Sequence, residues 1–238
     1  MKNVVIIFAG GIGQRMTNAT KPKQFLEVHG KPILVYTLEK FQQHDMIDGI
    51  VLVCVEEWID YTKTLIKRFN LTKVVSVIPG GENGHQSRFR GLRKAKELYG
   101  DGIILLHDGV RPLIDYETIK NAIETAKEKG SAIVATPATE TVAMDDGNGG
   151  WKIVPREKCS AMRAPQGFYL SKILTLYERT EQEGLDDFID SATIMQFYGQ
   201  EITIINGPAE NIKITTPLDY FMFKGILETQ NNKEVFGI

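Results

Sequence analysis

Cysteine is scarce: the chain has only Cys54 and Cys159, far apart and in no metal-ligand spacing. That excludes a disulfide-stapled scaffold and a thiolate zinc site. Cys54 falls inside an apolar run and reads as core packing; the expected setting is the reducing cytoplasm. No apolar run is long enough to span a bilayer, so no membrane association is expected. Arg15, Lys21 and Lys23 follow the first apolar run too soon for a secretory leader. Charge of one sign is lacking too. With 28 basic and 30 acidic residues the net charge is −2, which gives no basic field for nucleic acid. Two nucleotide signatures are missing, the G-x-G-x-x-G of dinucleotide binders and the G-K-[ST] of phosphate-binding loops. What remains is an ordinary globular composition. Its 238 residues, 42% hydrophobic and 24% charged, are enough for one domain with a sizeable core.

What is present is organised around residues 4–24, VVIIFAGGIGQRMTNATKPKQ. Val4 to Phe8 is a short apolar run rich in β-branched residues, and it reads as a buried strand. Ala9, Gly10, Gly11, Ile12 and Gly13 follow. Small residues there let the backbone turn sharply and leave N–H groups open, which suits phosphate. Arg15, Lys21 and Lys23 put three cations beside that loop. A strand followed by a solvated turn would explain the glycines alone. The combination G-G-x-G-x-R-M, then P-K-Q, is more specific.

Strands and helices then alternate. Apolar runs at 49–55, 74–78, 102–106 and 131–136 read as strands. Helical spacing is found at 32–41, 58–69, 86–99 and 116–129. Such alternation predicts an α/β fold, a Rossmann-like, mostly parallel sheet with helices on both faces. Ligands of such sheets sit at the carboxyl ends of the strands. Three polar loops leave strands there: AGGIGQR, PGGENGHQS and HDGVRP. The alternation breaks at 139–157, where DDGNGG separates two short strand-like runs and predicts a protruding β-hairpin. An isolated hairpin is marginal in water, so this arm is expected to lie on something. Residues 173–183 and 187–198 read as helices, 201–205 as a strand, and 211–215 as a short strand or turn. Thr216 and Pro217 read as the start of a last helix. The whole, 1–238, is expected to be a single domain.

Several side chains suit phosphoryl-type transfer, which needs positioning and charge neutralisation more than covalent help. Lys23 follows Pro22, whose ring restrains the chain, and could reach over the glycine loop. Arg15 could hold phosphate through its planar fork. Asp108 offers a hard carboxylate for Mg²⁺ or for hydroxyls. Arg111 could contact a ligand or, equally, pin its own loop to Asp108. His107 reads as structural. Gly81, Glu82 and Ser87 could approach a flat base through backbone groups. Thr141 and Arg156 flank the hairpin turn and could hold an anion. Lys213 lies in NIKIT, an apolar setting for a lysine.

Taken in order, AGGIGQRM, PKQFLEVHGKPIL, HDGVRP, APQGF and NIKITTPLD resemble the CTP-dependent cytidylyltransferases of polyol phosphates. That family includes enzymes acting on ribitol 5-phosphate and on 2-C-methyl-D-erythritol 4-phosphate. The resemblance runs over nearly the whole chain. It implies a nucleotidyltransferase that uses CTP, a polyol phosphate and Mg²⁺, working as a homodimer whose β-arms reach the partner's site. It makes Arg15, Lys23 and Lys213 catalytic, and assigns Ala9, Gly10, Gly11, Gly81, Glu82 and Ser87 to the nucleotide. Asp108, Arg111, Thr141 and Arg156 would bind the acceptor, with Asp108 also at the metal. The chain departs from the pattern at Gly84-His85, at Ala164 before Pro165-Gln166, and at Ile189 before Asp190. AGG, VRP and EEWIDYTKTLI resemble the ribitol branch, which is the expected activity. The isoprenoid enzyme is the alternative. A non-catalytic nucleotide binder is a reading of another class, disfavoured because a scaffold needs none of Arg15, Lys23, Asp108 and Lys213 together.

Overall fold

The structure, a computed structural model, describes residues 1–11 and 21–236, with side chains to residue 229. In chain order the elements begin with strand β1 (Lys2–Ala9), a small pair β2 (Glu27–Val28) and β3 (Lys31–Pro32), and helix α1 (Ile33–Gln43). Then come β4 (Gly49–Cys54), α2 (Ile59–Arg68), β5 (Val74–Pro79), α3 (Gly84–Tyr99), β6 (Gly102–Asp108), α4 (Tyr116–Lys129) and β7 (Ser131–Pro137). The arm is β8 (Val142–Asp145) and β9 (Trp151–Val154). After it follow β10 (Ser160–Tyr169), α5 (Leu170–Gln182), α6 (Ser191–Phe197), β11 (Ile204–Asn206) and α7 (Pro217–Phe236).

Seven strands form one sheet in the order β11-β7-β10-β6-β1-β4-β5. All pair in parallel except β10, which runs against both of its neighbours. The alternation of β1 explains its two covered faces. Val5, Ile7 and Ala9 point into one core with Leu34, Leu38 and Phe41 of α1, Leu65 of α2, and Ile119 and Ile123 of α4. Val4 and Ile6 point into the other, with Phe89 and Leu92 of α3, Ile173 and Tyr177 of α5, and Ile194 of α6. Gly91 is required for this packing, because a Cβ there would lie 2.6 Å from Ile6 Cγ2. A third, smaller cluster joins Val28, Ile33, Val110 and Ile214 to Phe223 of α7.

Winding runs from β1 through β4 to β5, then returns past β1 to β6. The β1/β6 boundary is therefore the switch point, and its carboxyl end is where a crevice opens. The loops after β1, β5 and β6 all leave the sheet at that end.

Three segments need correction or completion. Residues 160–169 carry no assignment in the sequence reading, and their Pro165 and Gly167 are unfavourable in a regular ladder. They form β10, and its register slips between Met162 and Gln166, which lets the proline sit at an irregularity rather than in a regular ladder. The expected helix at 187–198 spans only Ser191–Phe197, because Asp190 caps it by accepting from the Thr193 N–H at 2.8 Å. Of the two readings of 211–215, short strand or turn, the strand does not form; the segment is tied to the β6 loop by Ile214 N–H donating to the Val110 carbonyl at 2.9 Å. Thr216 caps α7 as expected, accepting from Asp219 N–H, while the Asp219 carboxylate accepts from the N–H groups of Thr215 and Thr216.

The hairpin forms as predicted. Asp146 closes its turn by accepting from the Asn148 and Gly150 N–H groups, and Gly147 and Gly149 take φ of 78° and 86°. Its register places Val142 opposite Val154 on one face, and Ala143 opposite Ile153 on the other. Met144 lies with the first set, Trp151 with the second. Both faces thus carry apolar residues, and Met144, Trp151 and Ile153 are exposed.

Candidate active site

The site is built at the carboxyl edge from the loops the sequence singled out. After β1 the chain reaches Gly10 and Gly11. Lys23 sits on a single turn of 3-10 helix, Lys23–Phe25, that is fixed from both sides. Gln24, buried, donates to the Ala9 carbonyl at 2.6 Å, and Phe25, fully buried, stacks on Trp58 with ring centres 4.8 Å apart. A Cβ on Gly11 would lie 3.7 Å from Lys23 Cε, so the lysine stem crosses the glycine backbone. Arg15 lies outside the described residues.

The loop after β5 is braced by α3. Asn83 caps the helix by accepting from the Gln86 N–H at 2.8 Å. Ser87 Oγ accepts from the Gly81 N–H at 3.0 Å and donates to the Asn83 carbonyl at 2.8 Å. Ser87 therefore shapes the loop's backbone as well as lining the hollow.

At the end of β6, Asp108 is gripped by two cations. Lys213 Nζ lies 2.8 Å from its Oδ1, and Arg111 Nε donates to its Oδ2 at 2.8 Å. Burial alone would push this carboxyl up. Lys213 and Arg111 outweigh burial and hold it well below the usual carboxylate range. Arg111 is buried and also donates to the Asn211 carbonyl at 2.9 Å, so it pins the HDGVRP loop to the 211–215 segment. His107 is buried, with Nε2 3.2 Å from the Arg111 carbonyl, which makes that nitrogen the protonated one. Burial pushes its pKa down to about 4, and among the described residues its Nδ1 has no hydrogen-bond partner. It is a neutral, structural histidine.

Two hollows adjoin here. One, of about 360 Å³, is lined by Gly10, Gly11, Lys23, Gly81, Glu82 and Ser87, with Ala9 at its base. The other, of about 320 Å³, is lined by Arg111, Arg163, Gln166, Ile189 and Asp190. Among the described residues both share Phe8, Arg88, Asp108 and Lys213. The six residues expected at the nucleotide thus come together in one hollow. Asp108, Arg111 and Lys213 border the second. Thr141 and Arg156 border neither; both are exposed, and Arg156 donates to the Thr139 carbonyl at 3.2 Å. All three departures from the family pattern fall on these walls, with Gly84 in the first hollow and Ala164 and Ile189 in the second.

Some residues were missed. Gln166 is the brace of the second hollow, accepting from the Ser191 and Ala192 N–H groups and donating to Asp190. Arg163 donates to Thr136 Oγ1 and to the Asn211 carbonyl, and Arg88 donates to Tyr177 and Phe188. The sequence held a signal for Gln166 in APQGF. For Arg88 and Arg163 it held only the basic character of their surroundings.

Among the described residues no group of three His, Cys, Asp or Glu side chains could hold a metal. Among the described residues Asp108 is the one carboxylate bordering both hollows, and both its oxygens already accept from cations. A lone carboxylate could serve a Mg²⁺ ion only as one oxygen ligand among others. Among the described residues no helix is long and apolar enough to cross a membrane.

Residues 3–229 match the family model described as IspD: 2-C-methyl-D-erythritol 4-phosphate cytidylyltransferase. The chain is 48% identical to a ribitol-5-phosphate cytidylyltransferase of Streptococcus agalactiae serotype V, over 100% of both chains. It is 34% identical to a 2-C-methyl-D-erythritol 4-phosphate cytidylyltransferase of Halalkalibacterium halodurans, over 98% of this chain and 100% of that one. Among solved structures it is similar to a 4-diphosphocytidyl-2C-methyl-D-erythritol synthase from Anaerococcus prevotii. The TM-score is 0.81 and the identity 26%, covering 95% of this chain and 98% of that one.

Proposed function

The chain belongs to the family of 2-C-methyl-D-erythritol 4-phosphate cytidylyltransferases, and on that premise we propose that it transfers CMP from CTP to ribitol 5-phosphate, giving CDP-ribitol and pyrophosphate. The observation that carries this reading is the pair of adjoining hollows with Asp108 and Lys213 on their shared wall. One hollow, with its glycine backbone and Lys23, suits a nucleoside triphosphate. The other, lined by Arg111, Arg163 and Asp190, suits a phosphorylated polyol.

In the reaction a phosphate oxygen of the acceptor attacks the α-phosphorus of CTP. A P–O–P bond forms, the bond from the α-phosphorus to the β-phosphate oxygen breaks, and pyrophosphate leaves with the electron pair. Lys23, together with Arg15, neutralises charge accumulating on the leaving pyrophosphate. Lys213, held by Asp108, faces the boundary where the two phosphates must meet. The backbone at Gly81 and Glu82, braced by Ser87 and Gln86, approaches the base. Asp108 could serve as a carboxylate ligand to Mg²⁺, which would supply further charge neutralisation.

The preference for ribitol 5-phosphate is supported by the higher identity to the ribitol relative, 48% against 34%, at full length in both cases. Ile189 and Ala164 on the acceptor wall are in keeping with an acceptor other than the methylerythritol phosphate. The arm, apolar on both faces, is proposed to bury itself against a second subunit and to carry Thr141 and Arg156 to the partner's acceptor. This makes the protein a homodimer. The proposed setting is the cytoplasm, where CTP is found.

The test is to incubate the purified protein with CTP, Mg²⁺ and either ribitol 5-phosphate or 2-C-methyl-D-erythritol 4-phosphate, following pyrophosphate. Ribitol 5-phosphate should give the higher kcat/KM, and excess chelator should abolish turnover until Mg²⁺ is restored. A higher kcat/KM with the methylerythritol phosphate would replace the proposed acceptor. No pyrophosphate with any polyol phosphate would favour the non-catalytic reading, and full activity in excess chelator would remove Mg²⁺ from the scheme.

A further inference from the structure

Two anions must touch for this reaction to proceed, since the acceptor's phosphate attacks a phosphate of CTP. Something at the boundary between the hollows must offset their repulsion. Of the four described residues on that boundary, Phe8 carries no charge, and Lys213 is paired at 2.8 Å with Asp108, whose carboxylate it shares with Arg111. The fourth is Arg88, on the second turn of α3.

Arg88 differs in its partners from Arg111 and Lys213, and resembles half-buried Arg163, which also donates to neutral acceptors but lines only the second hollow. Among the described residues Arg111 and Lys213 both have Asp108 as a carboxylate partner, and Arg88 has none. Its Nε donates to the Tyr177 hydroxyl at 2.8 Å and its Nη2 to the Phe188 carbonyl at 2.6 Å, both neutral acceptors. Tyr177 is itself fully buried and bonded to Ser191, so the anchor is rigid. A half-buried guanidinium costs desolvation that neutral acceptors offset only in part. One edge of the fork is fixed, while Nη1 makes no hydrogen bond to a described residue. Nη1 lies beside Gly84, on the side of the first hollow, where a Cβ on that glycine would come within 3.2 Å of it. Gly84, one of the departures from the family pattern, leaves that nitrogen open at the N-terminal turn of a sixteen-residue helix, where backbone N–H groups also favour anions.

We infer that Arg88 binds the attacking phosphate of the polyol acceptor through Nη1, holding it at the boundary against the α-phosphate of CTP. The inference rests on the transferase reading above and adds a phosphate-binding residue from the same subunit. Arg88 thus precollects the nucleophile before the arm of a partner completes the site. Guanidinium suits this task because its orientation is set by one edge while the other binds.

The test measures Kd for CTP by calorimetry, and KM for ribitol 5-phosphate at saturating CTP, in the dimeric protein and in Arg88→Gln, Arg88→Lys and Tyr177→Phe. The expected result for Arg88→Gln is a KM for ribitol 5-phosphate raised about tenfold to hundredfold, the scale of one lost charged hydrogen bond, with Kd for CTP within threefold of the parent. Arg88→Lys should recover part of that loss. Tyr177→Phe, which keeps the charge and removes the anchor, should raise the same KM by less than Arg88→Gln does. A KM in Arg88→Gln within threefold of the parent would overturn the inference. So would an equal loss of CTP affinity, which would place Arg88 on the nucleotide, or an equal effect of Tyr177→Phe, which would make Arg88 a structural brace. If the parent itself releases no pyrophosphate, the transferase reading fails first, and the two failures are distinct.

Discussion

Lys213 Nζ and Asp108 Oδ1 lie 2.8 Å apart, joining the last loop before α7 to the end of β6 at the boundary of two hollows. Asp108 also accepts from buried Arg111, so its carboxylate organises two cations at once. The two partners therefore differ in what their loss should do. Lys213→Ala leaves Asp108 paired with Arg111; stability should change little while kcat falls about a hundredfold or more, the scale for one preorganised charged donor. Asp108→Ala leaves Arg111 buried without its carboxylate and should cost on the order of 3 kcal/mol as well as activity. Urea denaturation beside steady-state kinetics checks both, and equal destabilisation by the two variants would contradict the assignment.

The buried histidines set an acid limit. Burial lowers the pKa of His107 from 6.5 to about 4, and it lowers those of His44 and His85 in the same direction. A histidine whose pKa is depressed by folding stays neutral in the native state while the unfolded chain takes up a proton. Its contribution is therefore complete above about pH 6.5 and is lost as pH falls towards 4. Asp108, held below its ordinary 3.8, adds a further loss at lower pH still. Thermal unfolding midpoints should decline from pH 7 to pH 4.5. The decline should be shallower in His107→Gln, by up to one proton in the slope; an unchanged slope would show that His107 titrates normally.

The arm can be tested by mixing subunits. Lys23→Ala and Arg156→Ala homodimers should each be inactive if Arg156 serves the partner's site. Equal amounts exchanged at random should recover roughly a quarter of parent activity, since half the dimers are mixed and each has one intact site. No recovery after verified exchange would assign Arg156 to its own chain's site or to none.

The parallel sheet was legible because each of its principal strands is a continuous apolar run closed by glycine or a polar loop. β1, β4, β6 and β7 all show this, and Gly130 ends α4 in the left-handed conformation its position requires. The glycine loop, HDGVRP and NIKIT could be named as site segments because an isolated carboxylate or lysine in apolar company needs a partner. β10 was hidden by its proline, and the true length of α6 by a capping Asp190 inside an apolar pattern. Arg88 and Arg163 were hidden for a different reason. Their meaning depends on which neighbours lack carboxylates, and that is a property of packing across Tyr177, Phe188 and Asn211, residues distant in sequence.

β10 has a bearing on how this architecture can diversify. A chain leaving β7 at the carboxyl edge would ordinarily have to cross the sheet beneath a helix to begin another parallel strand. Because β10 runs the other way, it starts at the edge where β7 ended. The 138–159 excursion is thereby released from any duty to cover a sheet face. It can lengthen, shorten or change its apolar surface without disturbing a single core layer, and every variant of it still emerges beside the acceptor hollow. The arm can thus be altered by replacing one connection, while the strands that position the two hollows stay as they are.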